Sequence, residues 1–301
     1  MQARQLAWVL AAGVLAISAG SIFARLAQQA AGAGDVGYSL VICGVRLAVA
    51  TLLLAPVWRG VPGPAKLPAA WRSSCLAGLC MGVHFAAWIS SLAYTSIVAS
   101  TTLVTSTPVW VALIGWIAWG DRPTHRTAAG IAVAIAGGLI VGLAQTGDAG
   151  AWPLLGNGLA VLGAIAGACY FLLGRRAQQA GFSVGAHAVV AYATGALLVA
   201  PLPWLFGAGY GGHPWASYGW IVLMALFPQV VGHTCFNWAM RHGSPVVVSL
   251  VLLAEPVGAS VLAYLIFGET IGLPVLAGAA TLLAGVALAV TGAAPRERAA
   301  S

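Results

Sequence analysis

From its first residues the chain is a succession of apolar runs, each about as long as a helix that crosses a bilayer, with little between them. A hydrocarbon core of about 30 Å needs about 20 apolar residues in helical form. Ten windows reach that length: 6–27, 38–57, 74–94, 97–119, 127–145, 154–174, 186–206, 216–239, 245–267 and 272–292. Only the connections 58–73, 175–185 and 207–215 have any length, and no soluble domain fits between the runs. The expected fold is therefore an all-α integral membrane protein with ten transmembrane helices.

Composition agrees. Charged residues make up 6% of the chain and hydrophobic ones 60%, whereas a soluble domain is about 25% charged. Such a chain cannot cover itself with a wetted surface, so the lipid bilayer is its expected partner. Thirteen basic residues face six acidic ones. No basic run is interleaved with aromatics, so this excess does not indicate nucleic acid. The five cysteines are odd in number, lie mostly in apolar segments and form no CxxC pair. Neither disulfides nor a metal site is expected, and no cofactor. The N-terminal stretch MQARQLAWVLAAGVLAISAGS starts like a signal peptide, but its apolar part runs on to Phe23, longer than an h-region. It is read as the first span.

The basic residues set the orientation. With a cytoplasmic N-terminus, the inner segments hold Arg4; Arg59, Lys66 and Arg72; Arg122 and Arg126; Arg175 and Arg176; Arg241; Arg296 and Arg298. The outer segments hold Asp35, Asp148 and Glu269. Both termini are then expected in the cytoplasm. Only Arg25 and Arg46 fall within or at the edge of spans.

The chain also repeats itself. Slid so that Pro108 lies on Pro256, the sequence places Gly120 on Gly268, Asp121 on Glu269, Gly130 on Gly278 and Gly137 on Gly285. TPVWVALIGWIAWGD then aligns with EPVGASVLAYLIFGE without a gap, and ARLAQQA resembles GRRAQQA at almost the same offset. Residues 1–145 and 154–292 are read as two copies of a five-helix unit, followed by a cytoplasmic tail, 293–301. Five is odd, so the copies have opposite topology. Inverted repeats are a signature of secondary transporters, which bind substrate near the midplane at interrupted helices. Pro108 and Pro256 are the expected interruptions, each freeing a backbone carbonyl within a span.

The repeated proline-valine and Gly-Asp/Glu pattern on spans 4 and 9, with VICGVRLAVATLLL on span 2, resembles the drug/metabolite transporter superfamily, and within it the ten-helix EamA-type exporters. The resemblance covers the whole chain. It implies alternating access, a central cavity lined by spans 1, 3, 4, 6, 8 and 9, peripheral spans 5 and 10, and export from the cytoplasm. Arg46, Pro108, Glu255, Pro256, Gly268 and Glu269 match the pattern. Span 4 departs from it, with Thr107 where span 9 has Glu255.

Candidate site residues follow from what a bilayer penalises. A charge at the centre of a span costs about 2.5–3.5 kcal/mol on insertion scales, so Glu255 is expected to face the bundle interior. It is open to three roles: accepting a proton, pairing with a substrate amine, or bonding a neighbouring helix. Arg46 is read either as a structural pair or as an anchor for a carboxylate, which its fork geometry suits. Ser18, Ser21 and Arg25 share one face of span 1. Gln229, His233 and Asn237 stack at four-residue intervals on span 8, and His84, Trp88 and Ser91 form a stripe on span 3. Span 4 supplies Thr107 and Trp110 among hydroxyls that can line a path or bond their own carbonyls. Asn157 and Tyr170 are the polar candidates on span 6. Gly78/Gly82, Gly138/Gly142 and Gly163/Gly167 are read as close helix contacts within one monomer.

These features favour a secondary transporter that exports small metabolites across a bacterial cytoplasmic (inner) membrane, amino acids foremost. The alternative is an exporter of cationic drugs or amines coupled to protons through Glu255. The spans carry no HExxH, GxSxG or paired aspartates, so an enzyme is not expected. No Walker A sequence is present to bind ATP.

Overall fold

The structure is a computed structural model. It describes residues 2–119, 124–143, 152–242, 251–252, 254–268 and 271–292. The first half contains α1 (Gln2–Ser18), α2 (Gly20–Ala31), α3 (Val36–Leu53), α4 (Pro68–Ser91), α5 (Ile97–Val104), α6 (Thr107–Trp119) and α7 (His125–Leu143). The second contains α8 (Pro153–Gln179), α9 (Val184–Val199), the single turn α10 (Leu202–Leu205), α11 (Trp215–Met224), α12 (Thr234–His242), α13 (Glu255–Phe267) and α14 (Leu273–Gly292). The protein is an all-α, multi-pass membrane protein.

Among the described residues, seven helical stretches are long and apolar enough to cross a membrane, and three shorter apolar helices lie at His125–Ile140, Glu255–Phe267 and Leu273–Ala289. All ten fall on the windows read from the sequence. Residues 245–250 of the ninth window, Arg122, Arg296, Arg298 and Glu269 lie outside the described residues, as does the 293–301 tail. Large apolar side chains including Leu15, Ile117, Leu197 and Leu273 are exposed, as lipid-facing positions should be.

Local chemistry sets the helix ends. Asp35 caps α3 by accepting from the Tyr38 amide, and Ser96 caps α5 by accepting from Ala99. The segment GFSVG (181–185), spaced like a hydrolase nucleophile turn, is a cap too: Ser183 Oγ accepts from the Ala186 amide at the start of α9. Gly32 and Gly268 end α2 and α13 in the left-handed conformation, at φ 61° and 66°, which glycine adopts at no steric cost.

Among the described residues, four spans are interrupted. Span 1 breaks at Ala19, between α1 and α2. Span 4 breaks at Thr105 and Ser106, so that Pro108 is the second residue of α6. There a missing N–H costs nothing. Pro256 holds the same place in α13. In span 8 the segment Ala225–His233, with Pro228 inside it, is π-helical.

The bundle core lies where α4 packs on α8 and α9, and α3 on α9. There a Cβ on Gly78 would meet the Ala191 carbonyl and the Thr194 side chain. On the other side, α1 packs against the π segment, α12 and α13. The pair α7 and α14 is the tightest. A Cβ on Gly130 would overlap the Ala289 backbone, one on Gly137 the Leu282 backbone, and one on Gly285 the Ala134 backbone. The offset that lays Pro108 on Pro256 carries the contact of Gly137 with Leu282 onto that of Gly285 with Ala134.

Candidate functional site

Among the described residues, the helix breaks surround a cavity of about 70 Å³. Its walls come from Ile17 on α1, Arg46 on α3, His84, Phe85 and Trp88 on α4, Val104, Thr105, Thr107 and Pro108 at the span 4 break, Gly167, Tyr170 and Phe171 on α8, Pro228, His233 and Phe236 in span 8, Leu252 ahead of α13, and Glu255 at its start. The lining is mostly aromatic and aliphatic, with one arginine and one glutamate.

Glu255 is the first residue of α13, and Ser18 donates to its backbone carbonyl at 3.5 Å. Its side chain lines the cavity. Gly258, one turn on, has no room for a side chain because Ser18 lies against it. The small residue therefore admits α1.

Arg46 is 1% exposed. Its guanidinium carbon sits 3.8 Å from the centre of the Phe85 ring and 5.9 Å from that of Trp88. Among the described residues, Nε and Nη1 have no hydrogen-bond partner, although Glu255 lines the same cavity.

On α4, His84 Nδ1 lies 2.7 Å from the Gly163 carbonyl, so Nδ1 carries the proton and donates. The ring stacks on Trp88 at 6.4 Å and 16°. Gly167 admits this arrangement, since a Cβ there would come 3.0 Å from His84 Nδ1. The His233 ring presents edge contacts to Phe85 at 5.4 Å and Tyr170 at 6.4 Å. Tyr170 accepts from Asn237 Nδ2 at 2.8 Å and stacks on His187, whose Nδ1 meets Ser74 Oγ at 3.0 Å.

The other candidates from the sequence lie off the cavity. Ser91 donates to the Trp88 carbonyl and bonds Ser100 Oγ, joining α4 to α5. Trp110 Nε1 donates to Ser106 Oγ at 3.2 Å. Asn157 accepts from Thr95 Oγ1, and Arg25 Nη2 donates to the carbonyls of Leu92 and Thr95. These two tie the middle of α2 to the loop after α4 and to the start of α8. The span 4 hydroxyls chiefly bond their own backbone: Thr101 to Ile97, Thr105 to Thr101, and Thr107 to Val104. Thr105 and Thr107 line the cavity while doing so.

Span 8 departs from the α-helical spacing read in its sequence. Only His233 of its polar stripe lines the cavity. Gln229 is fully buried and donates to the Met81 sulfur, and Asn237 turns to Tyr170. A π-helical segment has a wider turn than an α-helix, so residues four apart do not stay on one face. Pro228 lies inside this segment. The aromatic walls Phe85, Phe171 and Phe236 gave no signal, because a phenylalanine in an apolar run reads as core.

A model of the EamA-like transporter family matches residues 5–143 and again 154–291. The chain belongs to that family. The family is one of transporters, and this chain is a multi-pass membrane protein. An uncharacterized transporter of Archaeoglobus fulgidus is 27% identical over 129 residues, 43% of this chain and 46% of that protein. The chain thus matches about half the length of this curated relative. A solved structure titled only "Crystal structure of protein" has a TM-score of 0.62 at 19% identity, covering 95% of this chain and 96% of that one. That likeness concerns the fold alone.

Proposed function

We propose that this EamA-like transporter exports small metabolites, amino acids foremost, by alternating access between two inverted five-helix repeats, residues 1–145 and 154–292. It would sit in a bacterial inner membrane with both termini in the cytoplasm, working as a monomer. The observation that carries the reading is the cavity at two matched helix breaks, with one cationic and one anionic side chain facing it. A zwitterion can satisfy both charges, and the aromatic walls can hold an apolar side chain.

The proposed working residues are Arg46, His84, Trp88, Thr107, Tyr170, His233 and Glu255, with Pro108 and Pro256 as hinges. Ser91, Trp110, Asn157, Gln229, Asn237 and Arg25 support them from outside the cavity. A second reading, export of cationic amines against protons, is favoured by one feature: Glu255 among aromatic rings, a setting that suits organic cations.

The test is uptake of a labelled amino-acid panel into proteoliposomes, with and without a pH gradient, for wild type and Glu255→Gln. The expected result is accumulation of apolar amino acids driven by the gradient. The Gln form should keep exchange and lose the response to pH. If amines move and no amino acid does, the second reading replaces the first. A wild type indifferent to the gradient and matched by the Gln form would be a facilitator.

A further inference from the structure

One wall of the cavity holds donors whose hydrogen bonds are unmet. Arg46 is buried with Nε and Nη1 unpartnered. Phe85 covers the guanidinium face at 3.8 Å, and such a contact uses the π face, leaving the in-plane N–H groups to find acceptors. Trp88, whose ring centre is 5.9 Å from the same carbon, is 4% exposed, and its Nε1 is unpartnered as well. All three atoms are donors only. A buried cation without acceptors is among the most costly arrangements in a protein.

Among the described residues, neighbouring side chains do not supply the acceptor. Glu255 lines the same cavity, yet Arg46 Nε and Nη1 stay unpaired. His84 directs Nδ1 to the Gly163 carbonyl. The unmet donors call for an anionic acceptor; Nε and Nη1 open on different edges of the guanidinium, each shared with Nη2, so a carboxylate pairs with one of them together with Nη2 and keeps a lone pair for an indole N–H.

We infer that Arg46 and Trp88 form a carboxylate subsite, so that the transported molecule carries a carboxylate, held by the guanidinium edge and the indole N–H. This rests on the transport reading above and narrows it. An amine lacking a carboxylate places its charge near Arg46 and leaves three donors unmet, and discrimination against it follows from both effects. Phe85 is the platform that fixes the fork.

The test uses the full chain in proteoliposomes, with counterflow of labelled phenylalanine and competition by phenylalanine, 3-phenylpropionate, phenylalaninamide and phenethylamine. In wild type the amide and the amine should compete at least about 10-fold more weakly than phenylalanine, because the charged hydrogen bonds are lost. Arg46→Gln should lower kcat/KM by about 100-fold, and Arg46→Lys by less, since it keeps the charge but not the fork. Trp88→Phe keeps the ring and loses the N–H, and should raise KM by about tenfold with kcat little changed.

Wild-type competition decides the matter even where Arg46→Gln does not fold, which thermal unfolding in detergent would reveal. An amide that competes as well as the free acid overturns the subsite, and so does a folded Arg46→Gln with unchanged KM. In either case amino-acid transport itself still stands. If no amino acid moves but 3-phenylpropionate is exchanged through Arg46, the subsite stands and the amino-acid reading falls. If only the amine moves, both fall.

Discussion

Arg46 and Tyr170 show two ways in which a membrane protein handles a polar group far from water. Arg46 lays its guanidinium on an aromatic face in the wall of a cavity, with Nε and Nη1 unpartnered among the described residues. Tyr170 closes its hydrogen bond inside the protein, accepting from Asn237, and this fixes the ring against His233. Tyr170→Phe should therefore orphan the Asn237 amide and cost about 1–3 kcal/mol. Adding Asn237→Leu removes the orphan, so the double variant should lose less than the sum of the singles. Thermal unfolding of the four forms in detergent measures the coupling, and simple additivity would show that the bond does not hold the ring. At this scale the sequence was informative for charged and polar side chains, and for an indole or imidazole spaced on one helical face. Glu255 and Arg46 stood out in apolar runs. Phe85 did not, because what makes it a platform is the guanidinium lying on it, and α3 and α4 meet only in the fold.

Elements were read more fully, and the exceptions have local causes. The two matched prolines marked the breaks in spans 4 and 9, where each stands second in its helix. Pro108→Ala or Pro256→Ala restores an N–H and lets the helix run through the break. Each is expected to leave the melting temperature unchanged or raised and to slow exchange about tenfold, if the breaks are hinges that absorb backbone change during closure. Unaltered exchange rates in both would make the breaks static. The break at Ala19 carries no proline, and the π segment bears only Pro228, so neither was visible as a change of helix type. The repeated glycines were visible as a pattern but not as a contact. Gly137 and Gly138 are neighbours with opposite surroundings. A Cβ at Gly137 meets the α14 backbone, whereas one at Gly138 lies 3.6 Å from the side chains of Leu103 and Leu282, an ordinary distance. Gly137→Ala should destabilise by about 1–3 kcal/mol through overpacking, and Gly138→Ala should be neutral or slightly stabilising, because alanine favours the helix. Equal effects of the two would show that α7 and α14 can part without cost.

For the whole molecule, the offset that maps Thr107 and Pro108 onto Glu255 and Pro256 also maps the α7–α14 glycine contacts onto one another. Such symmetry matters to transport only if the two copies face opposite sides, and the charges supply a test. Asp35 precedes α3, while Arg59, Lys66 and Arg72 follow it. α3 is 18 residues long and apolar, so its two ends must lie on opposite sides if it spans the bilayer. If the excess of Lys and Arg marks the cytoplasmic side, the second end lies there. In the second half the signs trade places, with Arg175 and Arg176 near the C-terminal end of α8 and the uncharged Gly207–Gly212 loop after α9. Single cysteines at Asp35, Lys66, Arg176 and Gly209, placed in a chain whose five native cysteines are replaced, should therefore sort into two groups. A membrane-impermeant maleimide added to whole cells should label positions 35 and 209, while 66 and 176 should react only after the membrane is opened. Labelling of 35 together with 66 would remove α3 as a span. Labelling of 176 from outside would set both halves in one orientation and leave alternating access without its structural basis.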